Sequence, residues 1–114
     1  MDKKVYTAGE VRKKVKDYAR YLRETHHVPV QGVYLFGSYA KHKAHAWSDI
    51  DVCIISPLFI KEDRLSFLWH RRRGEDVEAM IAPIGFAPED FRGTISSPLV
   101  HEIKTTGEEI SLEP

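Results

Sequence analysis

Two aspartates separated by one residue, Asp49 and Asp51, head an apolar run of Ile50, Val52, Cys53, Ile54 and Ile55. In an extended strand, residues two apart point the same way, so both carboxylates share a face with Cα atoms about 6.5 to 7 Å apart. Carboxylates crowded together repel and raise a pKa unless a cation lies between them. A hard ion such as Mg²⁺ suits the pair, because it takes carboxylate oxygens together with substrate phosphates. Upstream, Gly37-Ser38 follows the apolar run Val33-Tyr34-Leu35-Phe36, with ten residues between Ser38 and Asp49. Glycine permits a tight turn and lets backbone approach a ligand, while amides exposed at a helix start attract phosphate. Ser38 can add a hydroxyl donor. Either dipeptide alone is commonplace; spaced like this, each beside a buried strand, they describe a site for phosphate and metal.

The elements that must position these residues are legible from periodicity. Thr7-Ala-Gly-Glu10 has the form of a capping box, in which each side chain satisfies the other's free amide. Val11, Val15, Tyr18, Ala19 and Leu22 then recur at helical spacing, predicting an amphipathic helix over residues 8–25. Its other face carries Arg12, Lys13, Lys14 and Lys16, a solvated run. His26-His27-Val28-Pro29 breaks it. Residues 33–36 read as a buried strand, the stretch after Gly37-Ser38 as a short helix and then a polar loop, and 49–55 as the clearest strand. Ile50, Val52 and Ile54 should face one way, Asp49, Asp51, Cys53 and Ile55 the other. A helix is expected over 61–73, with Leu65, Leu68 and Trp69 inward, Arg71-Arg72-Arg73 complementing its negative end and Gly74 capping it. The alternation from Val77 to Ile81 predicts a third strand. Pro88–Phe91 suggests a helical turn, Pro98 opens a last helix that Gly107 stops, and a short strand over 109–112 can follow. This order indicates an α/β (α+β) fold: one domain over residues 1–114 with a small mixed sheet flanked by helices.

Composition narrows the function classes. Seventeen basic and seventeen acidic side chains give zero formal net charge, which disfavours a globally basic nucleic-acid binder. The lone cysteine, Cys53, excludes an internal disulfide or a cysteine zinc cage, and a buried structural thiol is the expectation there. No apolar run approaches the roughly 18 residues of a membrane span, and Met-Asp-Lys-Lys lacks a signal-peptide core. A cytoplasmic protein is expected.

The stretch Leu35-Phe-Gly-Ser-Tyr-Ala-Lys-His-Lys-Ala-His-Ala-Trp-Ser-Asp-Ile-Asp-Val-Cys-Ile-Ile55 resembles the signature of the DNA polymerase β-like nucleotidyltransferases. It is most similar to their minimal, single-domain branch, where Gly-Ser, ten residues and Asp-x-Asp recur. The match is strong over residues 33–56 and looser over the third strand and the Pro98–Gly107 helix. The resemblance implies the polymerase β palm-like fold, a nucleoside triphosphate donor such as ATP, and two Mg²⁺ ions held largely by Asp49 and Asp51. It implies that Gly37 and Ser38 contact the β- and γ-phosphates while an acceptor hydroxyl attacks the α-phosphorus. Active relatives use a third carboxylate on a neighbouring strand. Glu78 lies closest to that position, with Asp76 in reserve and Glu75 on the opposite face; aspartate is commoner there. His42 is a second departure, standing where the family often has glycine after a basic residue. Members of this branch often act as the antitoxin beside an α-helical HEPN-domain toxin, and are thought to modify a toxin tyrosine. The acceptor implied is therefore a partner protein, and AMP the group transferred.

Other residues bear several readings. Lys41 or His42 could approach the nucleotide phosphates. His42 and His45 lack a clear set of zinc partners. Trp47 is either a loop anchor or a stacking surface, and Tyr39 either lines the pocket or packs beneath it. Besides the transferase, two other classes fit: a non-catalytic module that binds nucleotide and neutralises a partner by contact, and a nucleic-acid module using Arg12–Lys16 and Arg71–Arg73, which neutral charge makes the poorest of the three. A homo-oligomer is compatible with any of them.

Overall fold

The computed structural model describes residues 5–93 and 97–113. Helix α1 spans Ala8–Thr25, and its capping box is formed: Glu10 N–H donates to Thr7 Oγ1 at 3.1 Å, and Thr7 N–H to Glu10 Oε1 at 2.8 Å. Val11, Val15, Tyr18, Ala19 and Leu22 are all buried, as the periodicity predicts. The helix ends with His27 in the left-handed region (φ 54°) and Val28 N–H returning to Leu22 O at 3.1 Å, which satisfies a terminal carbonyl.

Strands β1 (Gly32–Phe36), β2 (Ile50–Ile55), β3 (Ile81–Phe86) and β4 (Glu108–Glu109) form one mixed sheet in the order β3-β2-β1-β4. β1 pairs antiparallel with β2 and β4, and β2 runs parallel to β3. Side-chain alternation separates two apolar layers. Val33, Leu35, Ile50, Val52, Ile54 and Ile81 meet α1 on one face. On the other, Phe36, Cys53, Ile55 and Phe86 pack with Val100 and Ile103 of helix α5 (Pro98–Thr106) and with Phe91 of helix α4 (Pro88–Arg92). Cys53 is fully buried there, and burial pushes its thiol pKa well up.

The segment between β2 and β3 departs from the sequence reading. The helix expected over 61–73 is replaced by a 3-10 turn at Pro57–Ile60 and a single turn, α2 (Ser66–Trp69). Asp63 starts that turn late, because its carboxylate accepts from Leu65 N and Ser66 N at 2.9 and 2.8 Å. Leu68 is buried as expected, but Leu65 is exposed. The arginine run is structural, though not through a helix terminus. Arg71 stacks on Phe67 and donates to its carbonyl, Arg72 stacks on Trp69, and Arg73 grips Asp76. Gly74 starts a helix instead of ending one.

The strand expected over Val77–Ile81 is also corrected: residues 74–78 form helix α3, Met80 turns the chain at φ 64°, and β3 begins only at Ile81. Pro83 lies within β3 although proline cannot serve a ladder on its N side. Here it stands on the edge strand with its backbone turned outward, where no partner strand needs that N–H. Gly85 is equally positional, because a methyl group there would overlap the Phe59 ring.

This edge is sealed. Trp69 Nε1–H donates to Pro83 O at 2.9 Å, Arg72 Nη1 to Ile81 O at 3.3 Å, and Gly85 N–H to Arg64 O at 2.8 Å. Open strand edges invite association. Trp69→Ala should therefore cost about 2 kcal/mol by loss of packing and a hydrogen bond. It should also create concentration-dependent self-association, read by denaturant titration and light scattering; a variant that remains as dispersed as the wild type would show that the indole does not guard the edge.

Candidate functional site

The antiparallel register of β1 and β2 brings the two motifs together. Phe36, the last residue of β1, pairs with Asp51 near the start of β2, so Gly37 turns directly beside the Asp51 side chain. Gly37 adopts φ 75°, in the left-handed region. A methyl group on it would overlap Asp51 Oδ2 and approach Asp51 Cγ to 2.9 Å. The glycine is thus required twice, by its backbone and by the carboxylate lying against it.

Residues 37–43 form successive tight turns rather than the expected helix: Lys41 N–H reaches Gly37 O at 3.1 Å, His42 N–H reaches Tyr39 O at 3.3 Å and Lys43 N–H reaches Ser38 O at 2.8 Å. His42 interrupts the helical path at φ 58°, a conformation that explains why glycine would suit this position. Tyr39 packs beneath the turn against the core, its hydroxyl accepting from Tyr6 N at 3.2 Å. In the following loop, His45 N–H donates to Ser48 Oγ, Ser48 N–H to His45 O, and Trp47 N–H to the His45 ring Nδ1. His45 thereby serves the loop's own geometry. These bonds hold the Trp47 indole out to solvent, 61% exposed, so it is not a loop anchor.

Asp49 lies immediately before β2 and is exposed; Asp51 is half-buried on the α5 face of the sheet. Desolvation, reinforced by the negative charges of Asp49 and Glu102 and opposed by Lys41, pushes the Asp51 pKa up to about 6. Lys41 Nζ lies 3.2 Å from Glu102 Oε2, a residue of α5. The structure therefore assembles Gly37, Lys41, Asp49, Asp51 and Glu102, with Ser38 next in the chain.

Neither sequence candidate for a third carboxylate, Glu78 or Asp76, lies on β3, the strand beside Asp51. β3 presents Ala82 opposite Asp51 and carries no acid anywhere in Ile81–Phe86. Asp76 is buried, with Oδ2 accepting from Arg73 N and Nε and Oδ1 from Arg73 Nη2, all at 2.9 Å. It caps α3 and is spent on that pair. Glu78 is the last residue of α3 and is exposed, three residues before β3 opens beside Ile50. Among the described residues no three acids, histidines or cysteines are placed to share a metal ion. Asp49 and Asp51 still fit a hard cation: they are adjacent acids, one half-desolvated with a raised pKa, and Mg²⁺ completes its shell from water and phosphate. Glu102 is the site residue that sequence reasoning missed; it arrives through packing of α5 and has no local signature.

The sign of the Asp51 shift yields a pH prediction. A carboxyl whose folded pKa exceeds its ordinary 3.8 contributes stability present in full below pH 3.8 and lost as pH rises through about 6. Metal-free protein should lose stability across that window, and Mg²⁺ affinity should rise across it, because the ion requires the deprotonated acid. Thermal melts from pH 4 to 7.5, with and without Mg²⁺, read both; equal slopes in wild type and Asp51→Asn would show that another group titrates.

A glycine turn packed on Asp51, with Asp49 beside it at one end of a small mixed sheet, is an arrangement suited to holding phosphate and a metal ion. Residues 11–92 match the nucleotidyltransferase domain family, and the chain belongs to it. Among solved structures it is similar to a toxin–antitoxin crystallised with AMP-PNP, at 18% identity and TM-score 0.56. It is also similar to a mutant MntA–HpeT toxin–antitoxin, at 16% identity and TM-score 0.54. In each case 84% of this chain and 72% of the other are covered, and the likeness is one of fold. No curated protein matches the chain. Among the described residues, no helix is long and apolar enough to cross a membrane.

Proposed function

We propose that this nucleotidyltransferase moves AMP from ATP onto a hydroxyl of a partner protein, in the manner of an antitoxin acting on a small all-α HEPN-type toxin. The observation that carries the reading is the packing of Gly37 against Asp51 within a nucleotidyltransferase domain. The similar structures support the choice of nucleotide and partner: one is a toxin–antitoxin holding AMP-PNP, the other a toxin–antitoxin variant with two aspartates, two positions apart, changed to glutamate.

In this reading Asp49 and Asp51 hold Mg²⁺, which when bound neutralises the phosphate charge and polarises the reacting phosphoryl group. The Gly37-Ser38 turn offers backbone and hydroxyl donors to the β- and γ-phosphates, and Lys41 adds a cation. The acceptor oxygen bonds to the α-phosphorus, the bond to pyrophosphate breaks, and the hydroxyl proton leaves to solvent or a neighbouring base. The test is incubation of the purified partner with ATP and Mg²⁺, read by intact-mass spectrometry. A gain of one AMP on the partner, lost with Asp49→Asn/Asp51→Asn, is the expected result.

A second reading is favoured by the lack of any acid on β3: a catalytically weak or inactive module that binds nucleotide and neutralises its partner by contact. Unmodified partner that is still bound and inhibited, by wild type and double variant alike, would select it.

A further inference from the structure

We propose that Glu102 is a latch on Lys41, holding the lysine ammonium at the donor site and yielding it to an incoming triphosphate. The inference rests on the nucleotide reading above and adds a residue that lies outside the stretch matched by the family, residues 11–92. α5 is seated on the sheet face that carries Asp51, through Val100 and Ile103 against Phe36 and Cys53. Glu102 precedes Ile103 and places Oε2 at 3.2 Å from Lys41 Nζ. Lys41 sits on the turn anchored by its own N–H to Gly37 O, so the ion pair joins α5 to the phosphate-binding loop.

Asp51 and Glu102 thus both draw on the Lys41 ammonium, and Asp49 adds a further negative charge beside Asp51. Both side chains of the pair are more than a third exposed, and ion pairs so exposed are weak enough to exchange. A triphosphate offers the same ammonium several charged oxygens at once, a stronger acceptor than one carboxylate. Glu102 therefore competes with the donor nucleotide for Lys41. Once the lysine turns to phosphate, α5 loses its tie to the Gly37-Ser38 turn.

A double-mutant cycle on binding tests this, using AMP-PNP with Mg²⁺, magnesium tripolyphosphate and adenosine as probes in calorimetry. Glu102→Gln should tighten AMP-PNP and tripolyphosphate by about three- to fivefold, the scale of one exposed ion pair. It should leave adenosine unchanged. Lys41→Met should weaken the two phosphate probes, and adding Glu102→Gln to it should restore nothing. Equal tightening with and without Lys41 would mean that Glu102 acts only as a bulk negative charge, and the latch falls. Weaker binding by Glu102→Gln would make it a support for Lys41 rather than a competitor, which also overturns the proposal. Wild-type protein that binds none of the three probes overturns the nucleotide reading itself, and the latch with it.

Discussion

Asp51→Asn should abolish nucleotidyl transfer while making the metal-free protein more stable. The wild-type carboxylate is half-buried, faces Asp49 and Glu102, and is only partly relieved by Lys41, so its charge opposes folding at neutral pH. An amide of the same shape removes that charge. Discounting for the solvent that reaches the group, a gain of about 1 kcal/mol in unfolding free energy at pH 7.5 is expected. The catalytic loss should be roughly 10³-fold or more, because in the proposed mechanism Asp51 holds the cation that stabilises the transferred phosphoryl group. Chemical denaturation without metal and a single-turnover transfer assay measure the two halves. Loss of activity accompanied by loss of stability would mean that Asp51 is a structural residue first.

Gly37→Ala is expected to damage both the fold and the site. The left-handed backbone alone costs a non-glycine residue about 1–2 kcal/mol. The overlap with Asp51 adds a further penalty, for a total of about 3 kcal/mol, and forces the carboxylate out of its position. Nucleotide binding should fall with it. A cycle with Asp51→Ala separates the causes: with the carboxylate removed, only the backbone part should remain, and the coupling should exceed about 1 kcal/mol. Additive effects would show that the two motifs do not touch in the working protein.

Local patterns carried most of what was legible. The capping box, the buried stripe of α1, and strands β1 and β2 each announce themselves within a few residues, and all form as expected. The Gly37-Ser38 and Asp49/Asp51 motifs could be paired from their spacing, because a tight antiparallel register between adjacent strands leaves few alternatives. What failed was the segment whose structure depends on its neighbours. Val77, Ala79 and Ile81 alternate as a strand would, yet Val77 is exposed at the end of a helix that Asp76 caps through Arg73. Pro83 and Gly85 disguise β3, since their reasons lie in an outward-facing edge and in the Phe59 ring. Glu78 and Asp76 fall on α3 for the same reason, and not on the strand expected to carry them. Glu102 was invisible for the same reason: it is near Asp51 only because α5 folds back over the sheet.

The sealed edge of β3 also gives the molecule a direction of growth. With Trp69, Arg72 and Arg64 occupying its outer backbone groups, no added strand can extend the sheet from that side. Extension is left to the flank of β4, where only two residues, Glu108 and Glu109, pair with β1, and where Arg12 already engages Glu108. A designed fusion or a strand-donating inhibitor would have to dock there, and basic residues in the donated strand would suit its two glutamates.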